Sequence, residues 1–130
     1  MTEQKLTRKE IGALGEDAAC DHLKKQGYRI KDRNFHARSG EIDIVAESKE
    51  CIVFIEVKTR SSTTDQRRFG RPSDSVNAEK KAHIKSAARE YLGRIGSRKK
   101  PRIDVIEVII HSDNSDNAEK FEIKHFIAAF

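Results

Sequence analysis

The chain reads as an α/β domain with a mixed central β-sheet flanked by helices. Three features predict this: a capped helical pattern at its start, two apolar strand runs separated by three residues, and a second helical pattern followed by another apolar run. At 130 residues the whole chain, 1–130, has the size of one domain with one core. Charged and apolar residues each make up 36%, which describes a heavily charged surface around a modest core.

Thr7 and Glu10 have the spacing of a capping box, and Ile11, Leu14, Ala18 and Leu23 then recur with helical period. Gly27 is placed to close this helix. Glu16 falls at the margin of the buried arc, where a carboxylate can lean over a sheet edge. Gly12 and Gly15, inside the same pattern, are expected to pack closely against the sheet. His22 lies on the apolar arc and reads as a satisfied core imidazole.

Tyr28 to Phe35 predicts a first strand, Arg38, Ser39 and Gly40 a turn, and Glu41 to Glu47 a second strand. Cys51 to Arg60 predicts the third, joined to the second through Ser48, Lys49 and Glu50 as an antiparallel hairpin. With Lys49 and Glu50 as loop residues, the paired positions sum to 99. Asp43 then faces Glu56, Glu41 faces Lys58, and all four share one sheet face. A one-residue slip would mix charged and apolar side chains on both faces. A long polar loop runs from Thr59 to Asn77 and carries Arg67, Arg68 and Arg71. A helix is predicted from Ala78 to Leu92, with Ile84, Ala88 and Tyr91 on its apolar face. A strand then spans Ile103 to Ile110, a polar turn His111 to Lys120, and an edge strand Phe121 to Phe126.

Two carboxylates facing each other across a hairpin repel unless a cation lies between them. Magnesium suits such a pair: it prefers oxygen ligands, keeps several waters, and is often held by one or two carboxylates plus substrate phosphate. Asp43 and Glu56 supply that set, with the Val57 carbonyl as a further donor. Lys58, on the same face, is placed to orient a water and offset phosphate charge. The plain alternative is an exposed cross-strand ion-pair network that contributes little. The apolar flanks in IDIVA and CIVFIEVK weigh against it, because charges set into buried strands are costly unless paired or bound to metal.

The residues GALGEDAACDHLKKQGY, GEIDIVA and VFIEVKTR, in the order helix, strand, strand, resemble the PD-(D/E)xK nuclease superfamily. More closely they resemble the YraN-like family of small bacterial proteins. The resemblance implies a restriction-endonuclease-like fold, metal ligation by Asp43 and Glu56, a catalytic role for Lys58 and an accessory one for Glu16. The cofactor implied is Mg²⁺ or Mn²⁺, and the activity phosphodiester hydrolysis in DNA. Holliday junction resolvases show a similar order of helix Glu, strand Asp and ExK, which favours branched or structured DNA and a homodimer. Ile42 stands where the superfamily name has proline. The second helix carries no QxxxY arrangement, which argues against the exonuclease branch. The rival class is a nucleic-acid-binding module that keeps the fold without cleaving.

A net charge of +5 and a pI near 9.3 favour a polyanionic partner. Arg60, beside the active strand, and the stripe Lys81, Lys85 and Arg89 are the phosphate-binding candidates. The chain has no signal-peptide pattern and no apolar run near the roughly 20 residues of a membrane helix, so a cytoplasmic location without membrane contact is expected. Cys20 and Cys51 have core parity and no ligand spacing.

Overall fold

The computed structural model describes residues 7–61, 76–112 and 119–130. Its elements run α1 (Arg8–Lys25), β1 (Arg29–His36), β2 (Glu41–Glu47), β3 (Cys51–Ser61), α2 (Ala78–Ile95), β4 (Lys100–Ser112) and β5 (Glu119–Phe126). The five strands form one sheet in the order β1-β2-β3-β4-β5. β3 and β4 pair parallel through the α2 crossover and the other neighbours pair antiparallel. This is an α/β fold with a mixed sheet and a helix on each face, consistent with a restriction-endonuclease-like fold. Among the described residues no helix is long and apolar enough to cross a membrane.

Local chemistry sets the helix ends. The Thr7 hydroxyl accepts the Glu10 N–H at 3.1 Å and the Glu10 carboxylate accepts the Thr7 N–H at 3.0 Å, so both halves of the capping box form. Gly27, at φ 92°, takes the left-handed turn after α1 that a side chain would resist. The Asn77 side chain caps α2, which runs to Ile95, three residues beyond the predicted Leu92, and Gly96, at φ 63°, closes it. The long loop expected from Thr59 begins later, because β3 keeps pairing with β4 out to Ser61, and its part with Arg67, Arg68 and Arg71 lies outside the described residues. The last two strands reach further into the expected polar turn than the sequence implied, because β4 and β5 keep pairing out to Ser112 and Glu119.

α1 buries Ala19, Cys20 and Leu23 against Ile44, Ala46, Val53, Ile55 and Ile106 on one face of the sheet. α2 buries Ala87, Ala88 and Tyr91 against Phe35, Ile42, Val45, Ile52 and Phe54 on the other. Each fully buried aliphatic side chain contributes about 1.5–3 kcal/mol. The turn between β1 and β2 docks on α2: the Ser39 hydroxyl donates to that of Ser86 at 2.7 Å, and a Cβ on Gly40 would come within 3.1 Å of His83.

Ile42 and Ile44 belong to opposite cores although they have the same strand parity. Their β1 partners behave alike, Phe35 packing on Tyr91 of α2 while Arg33 pairs with Asp17 of α1. Between them Asn34 has φ 53° and stands level with Asp43. The two strands therefore exchange faces at this point. Asn tolerates the left-handed conformation better than other side chains.

A second polar centre pins the far edge. Asp104 is fully buried and accepts four hydrogen bonds: two from Arg102 at 2.9 and 2.8 Å, one from His125 at 2.7 Å and one from the Ala128 N–H at 2.9 Å. Arg102 also donates to Tyr28 at 2.6 Å, and His22 meets His125 at 3.2 Å, which gives His22 its expected partner. Burial pushes the Asp104 carboxyl up, but the bonds from His125, Arg102 and Ala128 outweigh it and hold it below its ordinary value. Its contribution is therefore complete above the unfolded carboxyl value and fades as acid protonates the folded protein. Asp104→Asn should cost about 3 kcal/mol at neutral pH, with the gap to wild type narrowing below about pH 4. Urea melts across this range check it, and a gap independent of pH contradicts it.

Candidate functional site

The β2–β3 hairpin has the register in which partners sum to 99, from Glu47 beside Ile52 to Ile44 beside Ile55. There the ladder ends, because β2 changes faces at Asp43. Asp43 and Glu56 follow as the next positions, and the Asp43 carboxylate, through Oδ2, accepts the Val57 N–H at 2.8 Å. A side chain thus replaces the backbone partner that β3 loses. The expected pairing of Glu41 with Lys58 does not form: Glu41 sits beside His36 of β1, and Lys58 beside Glu107 of β4. The four residues do not share a face, because parity cannot carry through the reversal.

Asp43 and Glu56 lie where two clefts meet. One, about 460 Å³, opens under α1 between Arg8, Glu16, Lys58 and Arg60. The other, about 420 Å³, opens under α2 between Glu41, Glu79 and His83. Lys80 reaches both and places its ammonium 3.3 Å from the Glu56 carboxylate. The first cleft is rich in cations and the second has two carboxylates on its rim, so an anion favours the α1 side.

Burial raises the Asp43 carboxyl to about 7, helped by a hydrogen bond and charge repulsion from Glu56 and opposed by the Val57 N–H and Lys80. Two carboxylates crowded into a desolvated corner form a site of stored electrostatic stress. Glu16 joins them from α1. Burial and the Asp43 charge raise its carboxyl against Arg33 and a hydrogen bond from Asn34. Its Oε1 is enclosed and has no hydrogen-bond partner, with the Arg33 guanidinium 4.0 Å away.

Gly15 makes this approach possible. A Cβ there would fall 1.8 Å from the Thr59 hydroxyl, so only glycine lets α1 rest on β3 beside Lys58. Gly12, expected to pack in the same way, has nothing within 4 Å of where its Cβ would stand and lines the α1-side cleft instead.

The model of the uncharacterised protein family UPF0102 matches residues 15–108, a span that includes Glu16, Asp43, Glu56, Lys58 and Lys80. The chain belongs to this family. A UPF0102 protein of Syntrophomonas wolfei is 42% identical over 94% of this chain and 98% of its own length. One from Alkaliphilus oremlandii is 45% identical over 94% and 98%. A third, from Caldanaerobacter subterraneus, is 37% identical over 98% and 99%. This member therefore has nearly the full length of these relatives.

The geometry gathers Glu16, Asp43, Glu56, Lys58 and Arg60 around one cleft. Among the described residues Lys58 pairs with no carboxylate, which leaves its ammonium available there, while Arg60 holds Glu107 at 3.2 Å. The α2 stripe lies elsewhere. Lys81 stands over the Phe130 ring, and Lys85 and Arg89 border a separate groove with Ala128 and Phe130. Sequence reasoning missed Arg8, Lys80 and the buried Glu107. Lys80 carried one usable signal, being a lysine at a helix position that normally favours a carboxylate.

Because the Asp43 carboxyl rises from 3.8 to about 7 on folding, the folded state takes up a proton across that window and stability falls as pH rises through it. Asp43→Asn can still accept the Val57 N–H. Its stability should exceed wild type by an amount that grows with pH, to on the order of 2–4 kcal/mol above neutrality. Denaturation without divalent cations at about pH 5 and about pH 8 measures this, and equal differences at the two values refute it.

Proposed function

We propose that the chain is a metal-dependent nuclease of the PD-(D/E)xK type, hydrolysing phosphodiester bonds in DNA. The observation that carries the reading is the pair Asp43 and Glu56, crowded and desolvated at the junction of two clefts with Lys58 alongside. Structural ion pairs are arranged to relieve repulsion, and this corner keeps it.

The donor set fits Mg²⁺ or Mn²⁺. It is all oxygen, from Asp43 and Glu56 with Glu16 at the cleft wall, and the Glu16 Oε1 atom lacks a partner. Among the described residues no three His, Cys, Asp or Glu side chains converge to hold a metal by themselves. Magnesium tolerates this, since water and substrate phosphate complete its shell. Such an ion would polarise the phosphate and lower the pKa of a bound water.

The chain's own side chains supply the rest. Lys58 would hold charge developing on the phosphate and orient the attacking water. Arg8 and Arg60 line the same cleft and would seat the flanking phosphates. The order helix Glu, strand Asp, ExK resembles junction resolvases and favours branched DNA. Paired cuts across a junction would take two copies of the chain. The ion pair of Lys80 with Glu56 favours a second reading, in which the protein's own lysine compensates Glu56 and the fold binds nucleic acid without cutting it.

Linear, nicked, flap and four-way DNAs incubated with Mg²⁺ or Mn²⁺ separate the two. Cleavage should need the metal and fall at least about 100-fold in Asp43→Ala and in Lys58→Ala. Binding without cleavage, or cleavage that survives both substitutions, removes the nuclease reading.

A further inference from the structure

The cation on Glu56 is Lys80, and its place in α2 breaks a local rule. It is the third residue of that helix, with its N–H capped by Asn77 at 2.8 Å, and the same position in α1 holds Glu10. The first helical turn carries positive partial charge and favours carboxylates, so a lysine there works against its own helix. Such local conflicts collect at functional sites. Lys81, the next residue, lies over Phe130, 5.5 Å from the ring centre, so the direction of Lys80 is particular to it.

The two ends of the pair differ. The Lys80 side chain is 47% exposed and the Glu56 side chain 9%. Losing an exposed ion pair is inexpensive for the lysine, which is rehydrated at once. Leaving Glu56 and Asp43 together without any cation is not, because both are desolvated and repel.

We propose that Lys80 is an exchangeable counter-ion. It occupies Glu56 while the site has no divalent cation, withdraws into solvent when one binds, and so sets the concentration at which the site fills. This rests on the metal-dependent reading and deepens it. One ammonium leaves as one divalent ion arrives, so the ionised pair of Asp43 and Glu56 goes from one compensating charge to two. Lys80 is then a positioning residue for the metal-free state, while Lys58, which pairs with no described carboxylate, stays in the cleft.

Mn²⁺ binding to the full chain, without nucleic acid, tests this by titration calorimetry or by the paramagnetic resonance of free Mn²⁺. Lys80→Met should bind Mn²⁺ about tenfold more tightly than wild type, and Lys80→Arg should keep the wild-type affinity. Lys81→Met, the same charge change one residue along, should stay within about twofold. Lys80→Gln gives the same comparison if the Met variant folds poorly. Adding Glu56→Gln should abolish the gain. Affinity unchanged or weakened in Lys80→Met, a matching gain in Lys81→Met, or a gain that survives Glu56→Gln overturns the proposal. Wild type binding Mn²⁺ with Lys80→Met unchanged sinks the counter-ion alone. No binding by any variant sinks the metal-dependent reading as well.

Discussion

The bond from the Val57 N–H to the Asp43 carboxylate is the hinge of this structure. At that level β2 changes faces and can no longer offer β3 a backbone acceptor, and an unmet buried N–H costs about as much as a lost hydrogen bond. Asp43 meets it with a side chain, which draws a charge into the sheet interior beside Glu56. Burial there raises the Asp43 carboxyl to about 7 against the pull of the Val57 N–H, and Lys80 approaches the pair where the two clefts meet. The function proposed for the corner and the local break in the sheet thus meet at one residue.

Much of the scaffold is legible in the sequence because it is set by short-range chemistry. The Thr7 and Glu10 box, the turn at Gly27, and the hairpin register through Lys49 and Glu50 each depend on residues within a few positions of one another. The juxtaposition of Asp43 and Glu56 is legible for the same reason, as the next step of that register. The face exchange is not. Ile42 and Ile44 look like one continuous apolar face, and only their packing against different helices, with Asn34 in a left-handed conformation opposite, reveals two. That is why the expected partnership of Glu41 and Lys58 fails while the pair one step inward stands.

Long-range partners were harder still. Lys80 reaches Glu56 from an element separated from β3 in sequence by residues 62–77, and no periodicity connects them. Asp104 sits in an apolar strand, where the pattern gives no sign that Arg102, His125 and the Ala128 N–H converge on it. The α2 stripe of Lys81, Lys85 and Arg89 is regular in sequence and lies apart from the cleft. The helix turns it toward Phe130 and a separate groove, because Ala87, Ala88 and Tyr91 face the sheet.

The parallel pairing of β3 with β4 has a kinetic side. It sets Cys51 beside Lys100, a contact closed only after the intervening chain, α2 included, has been brought round, whereas β2 and β3 join across three residues. Loop-closure entropy makes the hairpin the early event and the crossover the late one. Asp43 and Glu56 therefore meet in a nascent hairpin before the helix bearing Lys80 has docked. During that interval the chain carries a like-charge contact that its own sequence cannot yet relieve, and the crossover is what ends the conflict.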